Sequence, residues 1–114
     1  MIYDFSFQQR FKKIKLYEIA ARKILGVEET DPVWIIRHNY LKLAKQYHPD
    51  INPKTSDLFK DINTAYAILT KKDLDIDSVK FYTLSLEDLE RFEEEYKMEK
   101  DKNNYYENWR KRFF

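Results

Sequence analysis

Cysteine is absent from this chain, and with it go disulfides, thiolate nucleophiles and cysteine-ligated zinc. Such a composition suits the reducing cytoplasm. Glycine occurs once and proline three times, so the chain is neither loop-rich nor disordered, and no glycine-rich loop is present to cradle a phosphate. Long apolar runs are missing too. The opening MIYDFSFQQRFKKIK has no uninterrupted apolar stretch before a small-residue cleavage site, and no segment approaches the length of a membrane span. A soluble intracellular protein is expected. Nor is there a charge excess: 21 basic against 20 acidic residues leave +1, which nominates neither nucleic acid nor an anionic membrane as partner. Electrostatic recognition must therefore be local.

What is present favours helix. In 114 residues, 43% are hydrophobic and 36% charged, with heavy Lys and Glu usage, so one small all-α domain with appended helices is expected. Phe7, Phe11, Ile14, Ala21 and Ile24 or Leu25 recur at helical spacing, predicting a helix over about 6–25, capped by Ser6, stopped by Gly26 and open to a break near Lys15. Asp31 as N-cap and Pro32 at the first helical position open a second helix, whose inner face is Val33, Ile36, Tyr40, Leu43, Ala44 and Tyr47. A third, roughly Ser56 to Thr70, carries Leu58 or Phe59, Ile62, Ala65, Tyr66 and Leu69. The pair makes an antiparallel helical hairpin. SVKFYTL fits a short helix or an irregular packed segment. Ser85 then caps a helix striped by Leu86, Leu89, Phe92 and Tyr96; the stripe lapses over Lys100 to Asn104 and resumes at Tyr105 or Tyr106, Trp109 and Phe113 as a final short helix.

Between the second and third helices lies AKQYHPDINPKT. Pro49 disfavours helical geometry at His48 and donates no backbone bond, so the helix stops there. On local chemistry Asp50 caps a turn and His48 is a surface residue. A catalytic dyad of His48 and Asp50 lacks a nucleophile, and His38 and His48 do not make a recurring metal-ligand spacing. No catalytic, metal or cofactor residue is assigned, and the chain is not expected to be an enzyme. The remaining reading is a recognition turn, in which proline presents a charged tripeptide rigidly on two supporting helices.

The stretch from Leu16 to Leu69 resembles the J-domain of the DnaJ or heat-shock-protein-40 co-chaperones. The resemblance is carried by ILGV, NYLKLAKQYHPDIN and FKDINTAYAIL, in that order, over about half the chain. It implies a J-domain at 16–73, with an N-terminal helical extension at 1–15 and a C-terminal one at 74–114. It also implies docking on a DnaK-type heat-shock protein 70 chaperone and stimulation of its ATP hydrolysis. Carried over residue by residue, His48, Pro49 and Asp50 are the signalling tripeptide, and Arg37, Lys42 and Lys45 the basic docking face. Asn52, Phe59 and Lys60 match positions near the loop that touch the partner, while Tyr40 and Tyr47 match residues that pack the hairpin. The alternatives are a J-like structural or adaptor module without chaperone stimulation and, more remotely, a nucleic-acid-binding helical protein, against which the interspersed acids argue.

The sequence departs from the family in three ways. Leu41 stands where a basic residue is common, KKDLDIDSVKFY replaces the family's short fourth helix, and neither a glycine/phenylalanine-rich linker nor a cysteine-rich zinc domain is present. A stand-alone or specialised J-protein is expected, whose C-terminal extension recruits a specific client or scaffold. At about 100° per residue, Trp34, His38, Leu41 and Lys45 fall opposite the core face of the second helix. One of the terminal helices is expected to cover that stripe around Trp34 and Leu41. Trp109 and Phe113 are expected to pack on the first helix, in preference to nucleic acid or membrane contact.

Overall fold

A computed structural model describes residues 5–71 and 73–113, with side chains described over 8–71 and 73–100. The described residues form four α-helices, α1 (Phe5–Leu25), α2 (Val33–Gln46), α3 (Ser56–Thr70) and α4 (Leu86–Phe113), with single 3-10 turns at Pro53–Thr55 and Ile76–Ser78. No strand occurs among them. The all-α architecture is as the composition implies.

α1 is continuous through Lys15, because nothing between Phe5 and Leu25 breaks a helix: no proline, no glycine, and many Lys, Arg and Ala. Ser6 accordingly lies inside the helix, not at its cap. Gly26 ends it with φ of +65°, the left-handed conformation that residues with a Cβ avoid. The Val27 N–H then returns to the Arg22 carbonyl at 3.0 Å.

Two side chains in the middle of α1 explain how the rest is arranged. Ala20 and Ala21, both fully buried, point into different core clusters. Ala21 joins Leu25, Val27, Ile36, Ile62 and Ala65, the seam between α1, α2 and α3. Ala20 joins Phe81 and Leu89, with Tyr17, Leu84 and Phe92 packed around them, the seam with α4 and the segment before it. α1 is therefore the central helix. Its small residues let neighbours approach closely on both sides, and Ile24 packs against both clusters.

α3 runs over Ser56–Thr70 as the spacing predicts, with Ile62 and Ala65 buried. α2 deviates at its start. Pro32 is the N-cap, while the Asp31 carboxylate accepts the Glu28 N–H at 2.8 Å within the preceding turn and is not free to cap. Val33 is exposed because burial begins a turn later, at Ile35 and Ile36.

α4 opens with a reciprocal cap. Ser85 N–H donates to Asp88 Oδ2 at 2.9 Å, and Asp88 N–H donates to Ser85 Oγ at 3.2 Å. Leu86, expected on the inner stripe, is exposed; Leu89 is the first buried residue. The helix then continues through Lys100 to Asn104 without the expected break, since no proline or glycine interrupts it. The side chains of Phe7, Tyr105, Tyr106, Trp109 and Phe113 lie outside those described. Polar contacts also tie α4 to α1 and to the turn after it: Lys23 pairs with Glu95, and the Tyr96 hydroxyl donates to Glu29 in that turn at 2.5 Å. That placement leaves Trp34 and Leu41 exposed, at 71% and 48%. Among the described residues, the expected cover over the outer stripe of α2 is not there.

Candidate functional site

α2 gives way at Tyr47, whose N–H still reaches the Leu43 carbonyl at 3.0 Å. The proline two residues on cannot continue the ladder. The His48 carbonyl instead accepts two N–H groups, from Ile51 and Asn52, both at 2.9 Å. Thr55 closes the far side, its hydroxyl lying 2.9 Å from the Asn52 carbonyl and 3.3 Å from that of Tyr47. The turn is thus built from its own hydrogen bonds, and its side chains are left to face outward.

His48 is oriented from two directions. Its Nδ1 accepts the Asp50 N–H at 3.2 Å, and its ring meets Phe59 of α3 edge-on, with centroids 5.3 Å apart and planes at 67°. The Asp50 carboxylate lies 3.5 Å from the same Nδ1. Asp50 is otherwise open, its side chain 90% exposed. Pro49 is half-buried; Asn52 and Lys60 are exposed.

Arg37, Lys42 and Lys45 are exposed along α2, and none of them is in a salt bridge among the described residues. The hairpin beneath is braced by Tyr40, which stacks on Tyr66 at 4.1 Å and donates its hydroxyl to Asn63 Oδ1 at 2.6 Å. Tyr47 packs against the same core, half-buried. Of the residues assigned to partner docking from the sequence, Pro49 and Phe59 are half-buried and the others are exposed. None of them lines the two clefts, of ≈ 600 and ≈ 410 Å³, that flank α1 and α4. A flat, charged surface of this kind suits a macromolecular partner better than a small molecule. Among the described residues no group of three or more His, Asp or Glu could hold a metal ion, and no helix is long and apolar enough to cross a membrane.

Two polar residues that position the hairpin escaped the pattern. Asn39 donates its amide to the Leu25 and Gly26 carbonyls at 2.9 and 3.3 Å, so α2 caps the end of α1. Asp61 is fully buried and accepts the N–H groups of Tyr82 and Thr83 at 2.7 and 2.8 Å, as well as the Thr83 hydroxyl. An Asp-Ile-Asn on a helix reads as solvent-facing until its distant backbone donors are known. Asn39 offered one usable signal, an amide on the helix that follows a glycine stop.

Electrostatics are tuned mainly along α4. The Ser85 N–H and hydroxyl hold Asp88 below the usual carboxylate range. The Tyr96 hydroxyl does the same for Glu29, helped by Lys100, whose own ammonium is raised by Tyr96 and Glu29. The Lys23 ammonium lowers Glu95.

Comparison with known proteins bears on residues at the core of this arrangement. The DnaJ domain family matches residues 22–74. Chaperone protein DnaJ 2 of Thermus thermophilus is 45% identical over 58 residues, covering 46% of this chain and 21% of that protein. Chaperone protein DnaJ of Tropheryma whipplei is 49% identical over 47 residues, 41% of this chain and 14% of that protein. DnaJ homolog subfamily C member 5 of Mus musculus is 38% identical over 65 residues, 54% of this chain and 33% of that protein. The aligned region thus spans a third or less of these relatives. No solved structure matches. α2, the His48 turn and α3 all lie inside the matched residues, so the helical hairpin is the part of the chain that matches the DnaJ domain, at residues 22–74.

Proposed function

We propose that this chain is a co-chaperone that docks on a DnaK-type heat-shock protein 70 chaperone and stimulates its ATP hydrolysis, itself catalysing nothing. The observation that carries the reading is the turn at His48-Pro49-Asp50. It is closed by backbone hydrogen bonds, braced on Phe59, and leaves the Asp50 carboxylate 90% exposed. A carboxylate held out in this way is set to form a charge-assisted pair with a basic group of the partner. Arg37, Lys42 and Lys45 supply a basic face on the preceding helix that steers association with an acidic surface, and Asn52, Phe59 and Lys60 contribute beside the loop. The J-domain unit is residues 16–73, with helical extensions at 1–15 and 74–114. The C-terminal extension recruits a specific client or scaffold, and the cysteine-free composition supports a cytoplasmic setting.

The test is steady-state ATP hydrolysis by a panel of DnaK-type chaperones with this protein, and with His48→Gln and Asp50→Asn. Stimulation by the wild type that both substitutions abolish, with helicity unchanged, supports the reading. A wild-type protein that stimulates none of them refutes it.

A further inference from the structure

Three consecutive residues of α3 face three different surroundings. Phe59 lies against the His48 ring, Asp61 is fully buried, and Lys60 between them is exposed, as about 100° of rotation per residue requires. A buried carboxylate must be matched by donors. All of Asp61's come from one irregular stretch, through Tyr82 N–H, Thr83 N–H and the Thr83 hydroxyl. Phe81, one residue earlier, is buried in the α1–α4 cluster, so the stretch is anchored from both sides. The Tyr82 ring is consequently fixed in place but half exposed, at 49%. Lys60 Nζ lies 5.0 Å from its centroid and Lys80 Nζ 4.8 Å.

One aromatic ring thereby holds two ammonium groups, its negative faces offsetting part of their repulsion. Among the described residues the ion-pair partner of this pair is Asp57 alone, 4.0 Å from Lys60 and beyond hydrogen-bond reach. The two ammonium groups keep donors free for an incoming acidic side chain.

We infer that Lys60, Lys80 and Tyr82 form a carboxylate-binding extension of the docking surface, with Asp61 as its positioning residue. The extension reaches past residue 74, where the DnaJ-domain match ends. It makes the segment after α3 part of the surface that the chaperone reads, and gives this chain an affinity determinant outside its J-domain. The inference rests on the chaperone reading above.

The test is to titrate stimulation of chaperone ATP hydrolysis with the full chain and with Tyr82→Ala, Tyr82→Phe, Lys80→Glu and His48→Gln. Tyr82→Ala and Lys80→Glu are expected to raise the half-maximal concentration about threefold to tenfold while the maximal rate is kept. Tyr82→Phe, which retains the ring, stays within about twofold, and the Lys80→Glu effect shrinks as salt is raised. Asp61→Asn, assayed where it is folded, shifts the half-maximal concentration in the same direction, and adding Tyr82→Ala to it shifts it little further. Wild-type, Tyr82→Ala and Lys80→Glu curves that superimpose, alongside loss with His48→Gln, overturn this inference and leave the chaperone reading standing. Absence of any wild-type stimulation overturns the chaperone reading itself.

Discussion

Asp61→Ala should be strongly destabilising while leaving the His48 turn untouched. Asp61 Oδ1 accepts one backbone N–H and Oδ2 accepts another together with a hydroxyl, all from residues 82 and 83. Hydrogen bonds to a charged acceptor contribute about 1.5 kcal/mol or more each, so three sum to above about 4 kcal/mol. Tyr82 and Thr83 are exposed, however, and once released their donors can rehydrate, which returns part of that. The expected loss is therefore about 2–4 kcal/mol, a large fraction of the stability of a small domain. Asp61→Asn retains one acceptor oxygen and should cost about half as much. Urea denaturation followed by helical circular dichroism should show the Ala variant's midpoint lowered by about 2 M. Hydrogen exchange should show the amides of Tyr82 and Thr83 losing protection ahead of those in α3. A loss under about 0.5 kcal/mol with those amides still protected would refute the assignment of Asp61 as the tether.

Asn39→Ala removes the amide that caps α1 from α2 and should cost about 1 kcal/mol, read as a lower denaturation midpoint; an unchanged midpoint would count against the cap. Acid should destabilise the fold through the α4 contacts. Asp88 and Glu29 are held below their ordinary values, by the Ser85 and Tyr96 hydrogen bonds respectively. Their contribution is thus complete above the unfolded-state value and is lost as pH falls through the lower folded one. A thermal midpoint level above about pH 5 and falling below about pH 4 is expected, and Asp88→Asn should flatten that fall.

The sequence made some parts of this molecule readable and hid others, for identifiable reasons. α3 and the reciprocal cap at Ser85 follow from local rules, because spacing and capping chemistry involve residues within a turn or two. α4 was harder, since its apolar stripe stops before its helix does and no proline or glycine marks a break. Exposure of Trp34 and Leu41 depends on where α4 lies, and α4 lies along α1 because Ala20 leaves room for Phe81 and Leu89. No spacing rule within α2 contains that fact. The turn at His48 was visible as chemistry, a proline between two side chains that neither extend a helix nor fill a core. Its bracing by Phe59 is tertiary, as is the tie between Asp61 and Tyr82, 21 positions apart.

What matters most is whether the exposed tripeptide signals to a chaperone or merely ends a helix. ATP hydrolysis by a DnaK-type chaperone, measured with the wild-type chain and with His48→Gln at matched concentration and helicity, decides between them. Stimulation by the wild type and none by the variant is expected. Equal rates with wild type, variant and no addition, across the chaperone panel, would contradict it.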